Sequence, residues 1–252
     1  MSMPNKQEVI GILDRSGSMA GKEKDTVGGI NTMINELKAN ANNSDIINVS
    51  LKLFDHEETL LWRSKPLSEV TNLETREFIP RGQTALLDAL GNTLTYFMEK
   101  RLMDPDAYTS CLIYVATDGI ENASKYYTRA HIKKLILNAK EKYNIEVIYL
   151  AANQDAILEA SNIGINANQA INYNETFENT QAVYRAAGRV ASSQRSNPSS
   201  NLAFLPAERQ ASQPTERQAS PLTNNMFQPP PLTRSSRVGQ HYNNVPNVGR
   251  SI

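Results

Sequence analysis

Val9-Ile-Gly-Ile-Leu-Asp-Arg-Ser-Gly-Ser18 is an apolar run that ends abruptly in a carboxylate and two hydroxyls. The apolar run is short and is bounded by Asp14, so we interpret it as a buried β-strand. Ser16 and Ser18 alternate in the loop after the strand, and Gly17 between them eases a tight turn. The segment therefore predicts a strand that delivers three oxygen ligands to one edge of a sheet.

Two distant segments carry the same kind of ligand at the same kind of position. Thr84 lies in Gly82-Gln83-Thr84, just before a helical pattern, and Asp118 ends the apolar strand that runs from Cys111 to Thr117. Because parallel strands present their carboxyl ends at one edge of a sheet, we expect the three segments to converge. The predicted metal ligands are Asp14, Ser16, Ser18, Thr84 and Asp118. Two carboxylates and three hydroxyls form a hard, all-oxygen set, which suits Mg²⁺ or Mn²⁺ better than Zn²⁺.

Each segment alone has a simpler interpretation. Asp14 and Asp118 could be turn formers or helix caps at strand ends, and Thr84 could be the N-cap of the following helix. Ser16 and Ser18 could be ordinary loop residues. The occurrence of all three segments, each after the expected element, favours the metal site.

Strand and helix patterns alternate from residue 8 to about residue 192, which predicts an α/β domain with a largely parallel sheet. The expected fold is Rossmann-like and doubly wound, with helices on both faces of the sheet. Leu60-Leu-Trp62 is predicted to be an antiparallel edge strand, because only a short polar stretch separates it from the preceding strand. We assign residues 1–193 to this domain.

Residues 194–252 are rich in Ser, Asn, Gln, Pro and Arg. This composition carries too little apolar surface to offset the entropy of ordering, so we predict a flexible or extended low-complexity tail. The tail contains a short internal repeat, Pro206-Ala-Glu-Arg-Gln-Ala-Ser212 and Pro214-Thr-Glu-Arg-Gln-Ala-Ser220.

Composition narrows the class of protein. The 252 residues have a formal net charge of zero, and the six Arg and two Glu from Ser192 onward are too small an excess to indicate nucleic-acid binding. No run approaches the roughly 20 apolar residues of a membrane span, and the N-terminus lacks the apolar core of a signal peptide. The single cysteine, Cys111, suits a reducing compartment. We expect a cytoplasmic protein that binds neither nucleic acid nor membrane.

The three ligand segments together resemble the von Willebrand factor type A (vWA) domain. The metal-ion-dependent adhesion site (MIDAS) of that family has an Asp-x-Ser-x-Ser loop, a distant Thr and a distant Asp. Asp14, Ser16, Ser18, Thr84 and Asp118 match all five positions. The sequences around these residues, and at Leu150–Ala156, are similar to prokaryotic and viral members rather than to integrins.

The resemblance covers about residues 8–192 and implies roles for the five residues. The hydroxyls of Ser16, Ser18 and Thr84 would bind the cation, and Asp14 and Asp118 would act directly or through water. An Asp or Glu of a protein partner would supply the remaining ligand. The resemblance says nothing about the tail.

Three functional hypotheses follow. The first is a non-enzymatic binding module that acts as an adaptor or scaffold in a multiprotein complex, with the tail as a linker or a further contact. The second is a virion or phage assembly protein whose tail contacts neighbouring subunits, in a virion or an infected cytoplasm. The third, a Mg²⁺-dependent phosphotransferase or hydrolase, is disfavoured. Aspartyl phosphatases need Asp-x-Asp, whereas this chain has Asp14-Arg15-Ser16, and no Lys or His is evident near the site.

Overall fold

The computed structural model describes residues 5–198 and 202–212, without the side chains of residues 154–156. Strands and helices alternate along these residues, which confirms the predicted α/β class. The strands are β1 (Lys6–Asp14), β2 (Ile46–Phe54), β3 (Glu58–Pro66), β4 (Ser110–Thr117), β5 (Ile145–Ala151) and β6 (Ala170–Asn172). The helices are α1 (Glu23–Ala39), α2 (Leu86–Met103), α3 (Arg129–Tyr143), α4 (Gln154–Asn162), α5 (Phe177–Ser196) and α6 (Pro206–Ala211). In this part of the chain no helix combines the length and the hydropathy that crossing a membrane requires.

The six strands form one sheet in the order β3-β2-β1-β4-β5-β6. All neighbouring pairs are parallel except β2 and β3, so the predicted antiparallel edge strand is confirmed. β1 lies at the centre, with Leu13 in register with Leu53 of β2 and Ala116 of β4. The carboxyl ends of β1, β2 and β4 therefore lie side by side.

Side chains of the central strand alternate between two cores, as the two-residue period of a strand requires. Val9 and Leu13 pack in the core that contains α1 and α5, whereas Ile10 and Ile12 pack in the core that contains α2 and α3. Helices on both faces make the fold doubly wound, as predicted. At Gly29 of α1 a Cβ would lie 2.4 Å from a ring carbon of Tyr184, so this glycine allows α1 and α5 to approach closely.

The C-terminal part of the described chain differs in extent from the predicted domain. The predicted boundary after residue 193 falls inside α5, which ends at Ser196. Leu202 and Phe204 are buried in the core of the α1 and α5 face, and α6 follows them in the same compact unit. Residues 213–252 of the predicted tail lie outside the described residues.

Candidate metal centre

The three predicted ligand segments meet at the carboxyl ends of β1 and β4. β1 ends at Asp14, and its neighbour β4 ends at Thr117, directly before Asp118. Thr84 lies just before α2, in a loop that joins the β1 loop through a hydrogen bond from Gly17 N to Gly82 O of 3.1 Å. The sheet register and this loop contact place the segments at one edge, as parallel topology requires.

Hydrogen bonds connect four of the five predicted ligand residues, Asp14, Ser16, Ser18 and Asp118. Ser18 Oγ donates to Asp118 Oδ1 at 2.7 Å, and the hydroxyls of Ser16 and Ser18 lie 3.1 Å apart. Ser16 N donates to Asp14 Oδ1 at 2.6 Å, which fixes the turn immediately after β1. The Asp-x-Ser-x-Ser loop is thus folded back so that its hydroxyls face the carboxylate that follows β4.

The surroundings of Gly119 show that Thr84, the fifth predicted ligand, lies close to the oxygens of Asp14 and Ser18. A Cβ at this glycine would lie 3.1 Å from Thr84 Oγ1, 3.4 Å from Asp14 Oδ2 and 3.7 Å from Ser18 Oγ. These three oxygens therefore surround one point, which a side chain at Gly119 would crowd. The structure brings all five predicted residues together, and their role as metal ligands stays a prediction.

The centre combines buried charge with one exposed hydroxyl. Asp14 is fully buried, Thr84 and Asp118 are nearly so, and Ser18 is exposed to solvent. Burial raises the pKa of the Asp14 carboxyl above its ordinary value, and hydrogen bonds from Thr117 and Ser16 oppose that shift. The negative charge of Asp118 also acts to raise this pKa. A divalent cation would offset the energetic cost of burying the Asp14 charge and would reduce the repulsion between the two carboxylates.

Lys22 is a residue of this centre that the sequence analysis missed. Its ammonium group donates to Glu175 and to Asp118 Oδ2, whereas Ser18 donates to the other carboxylate oxygen of Asp118. Burial acts to lower the pKa of Lys22, but the bonds to Asp118 and Glu175 raise it above its ordinary value. The expectation that no Lys lies near the site was wrong. The only sequence signal is position, because Lys22 ends the loop that begins at Asp14.

We expect Lys22→Met to strengthen Mg²⁺ binding, because the ammonium group competes with a cation for Asp118. The gain should be about two- to fivefold, since a partly exposed ion pair is worth up to about 1 kcal/mol. Isothermal titration calorimetry at constant ionic strength measures it. Lys24→Met removes the same charge from an exposed position on α1 and is the matched control. Equal gains in both variants would mean that only net charge matters.

An ion-pair network centred on the buried Asp55 holds the loops together. Arg15 Nε donates to Asp55 Oδ2 at 2.9 Å, and Arg81 Nε lies 3.0 Å from the same oxygen. The backbone follows the same path: Arg81 N donates to Arg15 O at 2.7 Å and Ala85 N donates to Asp55 O at 2.9 Å. Asp55 therefore joins the Asp14 loop to the Thr84 loop. Its sequence signal was its position directly after β2, equivalent to that of Asp118 after β4.

Asp55, His56 and Glu57 form another group whose ligand atoms lie within 4.8 Å of one another. Asp55 is already paired with the guanidinium groups of Arg15 and Arg81, so this group offers little uncompensated charge to a cation. The five-residue centre has two carboxylates, and among the described residues the Lys22 ammonium group pairs with only one of them, Asp118, so the centre fits a divalent ion better.

The loop after β4 is held against the Thr84 loop and α2. Asn122 Oδ1 accepts from Thr84 N at 2.9 Å, and Asn122 N donates to Thr84 O at 3.0 Å. Asp88 of α2 accepts from three successive backbone N–H groups, those of Lys125, Tyr126 and Tyr127, at 2.7–3.0 Å. These bonds fix the distance between Thr84 and Asp118 without using either ligand side chain.

Solved structures share this architecture, and one of them carries the vWA name. A von Willebrand factor type A structure from Catenulispora acidiphila matches with a TM-score of 0.52 and 15% identity, over 75% of this chain and 43% of its own. The fold is that of a vWA domain. Proximal thread matrix protein 1 from the mussel byssus matches with a TM-score of 0.54 and 16% identity, over 75% of this chain and 47% of its own. The match thus spans about half the length of these proteins.

A further structure of the mussel protein has a zinc-occupied MIDAS motif, and it matches with a TM-score of 0.54 and 15% identity over 72% of this chain and 47% of its own. No family model and no curated protein matches this sequence. At these identities the likeness concerns the fold, and function has to be argued from the site itself.

Proposed function

We propose that this protein is a non-enzymatic, divalent-metal-dependent binding module. Asp14, Ser16, Ser18, Thr84 and Asp118 would hold the cation, and an Asp or Glu side chain of a protein partner would bind it from the solvent side. The observation that carries the proposal is the convergence of these five oxygen-bearing side chains at one edge of the sheet, where Ser18 is exposed. The bound cation would supply a positive charge that attracts a partner carboxylate, and that carboxylate would complete the coordination of the cation.

The chemistry of the five residues supports Mg²⁺ or Mn²⁺ as the resident ion. Hard divalent cations prefer oxygen ligands, whereas Zn²⁺ prefers nitrogen and sulfur. The zinc in the mussel MIDAS structure makes Zn²⁺ the relevant competitor. Titration with each of the three ions would rank them for this chain.

The environment of Asp14 disfavours an enzymatic role. Both of its carboxylate oxygens accept hydrogen bonds, from Ser16 N at 2.6 Å and from Thr117 Oγ1 at 2.6 Å, and the side chain is fully buried. A nucleophile must reach its substrate, so Asp14 is better suited to hold a cation. We propose that the protein acts as an adaptor or scaffold in a cytoplasmic complex.

Thr84→Val tests the proposal, because it removes one hydroxyl and keeps the side-chain shape. Loss of an outer-sphere partner typically lowers metal affinity by roughly 10- to 100-fold, and loss of a direct ligand should lower the affinity for Mg²⁺ by at least as much. Calorimetry measures this loss, and a pull-down from the native source with Mg²⁺ or EDTA then shows whether partner capture follows the metal.

Thr93→Val is the matched control, because Thr93 is a buried threonine of α2 whose hydroxyl donates within the helix, to Ala89 O at 2.7 Å. A partner retained in EDTA, or retained equally by Thr84→Val, would place the interaction on another face and contradict the proposal.

A further inference from the structure

The first copy of the repeat, residues 206–212, covers the outer edge of the sheet. Arg209 Nη1 donates to Ala170 O at 2.8 Å, and Arg209 Nη2 donates to the carbonyls of Ala167 and Asn168 at 2.9 and 3.0 Å. Ser212 Oγ donates to Asn172 O at 2.9 Å. Ala170 and Asn172 are the ends of β6, so the repeat satisfies carbonyl groups that an edge strand would otherwise present to solvent.

A second contact ties the repeat to α5. Glu208 accepts hydrogen bonds from Arg189 through both of its carboxylate oxygens, one of them at 3.0 Å from Arg189 Nη2. Arg189 Nη2 also donates to Ala203 O at 2.8 Å. The docking site therefore consists of the carbonyls of residues 167, 168, 170 and 172 and the guanidinium group of Arg189. It binds Glu208, Arg209 and Ser212.

The second copy, Pro214-Thr-Glu-Arg-Gln-Ala-Ser220, keeps every residue that makes these contacts. Glu216, Arg217 and Ser220 correspond to Glu208, Arg209 and Ser212. The two copies differ at one position, where Thr215 replaces Ala207, and Ala207 is exposed in the docked copy. Neither the charges nor the hydroxyl that the docking site binds would change.

We infer that this site is a peptide-docking site for the sequence Pro-x-Glu-Arg-Gln-Ala-Ser, and that residues 214–220 of the same chain bind it in place of residues 206–212. The contacts are to backbone carbonyls and one guanidinium group, so they depend on the ligand sequence and not on which copy supplies it. Exchange of the copies would shift the docked segment by one repeat along the chain.

The flanking sequence sets the preference between the copies. Leu202 and Phe204, each 4% exposed, anchor the segment before the first copy. The equivalent positions before the second copy are Gln210 and Ser212. Because the second copy lacks both apolar anchors, it binds more weakly and occupies the site when the first copy is displaced.

Hydrogen exchange in the full chain tests the exchange of copies. Asn174 N donates to Ser212 O at 3.2 Å in the docked state, so its amide reports on occupancy. The variant Glu208→Ala/Arg209→Ala disables the first copy, and adding Glu216→Ala/Arg217→Ala disables both. We expect exchange at residues 167–174 to rise at most threefold in the double variant and at least tenfold in the quadruple variant. Equal exchange in the two variants would overturn the inference.

A peptide assay provides an independent measurement. A labelled peptide of residues 213–221 should bind the quadruple variant in fluorescence anisotropy, and it should bind wild type at least tenfold more weakly because the first copy occupies the site. Arg217→Ala in the peptide, or Arg189→Ala in the quadruple variant, should weaken binding at least tenfold. Absence of binding, or binding that ignores both changes, would overturn the inference.

Sedimentation velocity distinguishes the source of the second ligand. If the Glu208→Ala/Arg209→Ala variant keeps its protection in hydrogen exchange and stays monomeric across a hundredfold range of concentration, the second copy of the same chain fills the site. A concentration-dependent dimer that Glu216→Ala/Arg217→Ala abolishes would overturn the assignment to the same chain and place residues 214–220 on a neighbouring molecule.

Discussion

Asp14→Asn is expected to abolish Mg²⁺ binding and, at neutral pH, to make the metal-free domain more stable. The loss of a charged ligand should weaken the metal affinity by more than the roughly 100-fold upper range for outer-sphere partners. The gain in stability arises because Asp14 is fully buried and lies near Asp118. Opposite effects on metal binding and on folding are expected of a carboxylate that binds a metal at a cost to the stability of the domain.

The sign of the stability effect follows from the pKa. Burial raises the pKa of Asp14 in the folded domain, so the protonated form favours folding and ionisation opposes it. The stabilisation is complete below the unfolded-state pKa and is lost as the pH rises through the folded-state pKa. At neutral pH the neutral amide avoids this loss. We expect a gain on the order of 1 kcal/mol, which raises the melting temperature by about 2–4 °C for a domain of this size.

Thermal and urea unfolding in EDTA measure this change, and calorimetry measures the metal affinity. Asp88→Asn is the matched control, because Asp88 is a nearly buried carboxylate near the same loops that accepts three backbone N–H groups. Asp88→Asn should lower stability, and its metal affinity should fall far less than that of Asp14→Asn, because all five predicted ligand side chains remain. If Asp14→Asn lowers stability as Asp88→Asn does, Asp14 is a structural turn residue and the metal prediction loses its main support.

The convergence of the five candidate ligands was predictable because local patterns encode it. Val9–Leu13 and Cys111–Thr117 are apolar runs that end in Asp14 and Asp118, and parallel strands bring such ends together whatever the details of packing. Lys22 and Asp55 were not predictable in the same way. Their roles depend on which loop packs against which. From sequence alone, a charged residue in a loop is expected to be exposed to solvent.

The docking of residues 202–212 was missed for a different reason. Composition averaged over residues 194–252 predicts a tail, because the segment has too few apolar residues to form a core of its own. Leu202 and Phe204 do not form a new core but enter one that α1 and α5 already provide. The ordering entropy of a short segment is then offset by surface that the domain supplies, which an average over the whole tail cannot reveal.

Asp55→Ala is expected to destabilise the domain by about 3–5 kcal/mol, because it leaves a buried guanidinium group without its counter-charge. The Arg15 side chain is 10% exposed and pairs with Asp55, which is fully buried. Arg15 lies between Asp14 and Ser16, so movement of its backbone displaces two predicted ligands. We expect the affinity for Mg²⁺ to fall at least tenfold as well.

Urea unfolding and calorimetry on Asp55→Ala measure the two effects, and Glu57→Ala is the matched control. Glu57 is an exposed carboxylate two residues away that pairs with Arg81 at 2.6 Å, and such surface pairs contribute little. Stability and metal affinity should both stay close to wild type in the control. Equal losses in both variants would mean that the net charge of this loop matters and the buried pair does not.

The double variant Arg15→Met/Asp55→Met separates the burial of charge from the positioning of the loops. Removing both charges together leaves no uncompensated buried charge, because Arg81 is half exposed and keeps its pair with Glu57. Most of the stability lost in Asp55→Ala should therefore return. The metal affinity should not return, because methionines cannot replace the bonds from Arg15 to Asp55 Oδ2 and to Thr59 Oγ1, both 2.9 Å, that hold the loop. Recovery of both properties would show that Asp55 supports folding only, and that the Asp14 loop reaches its geometry without this pair.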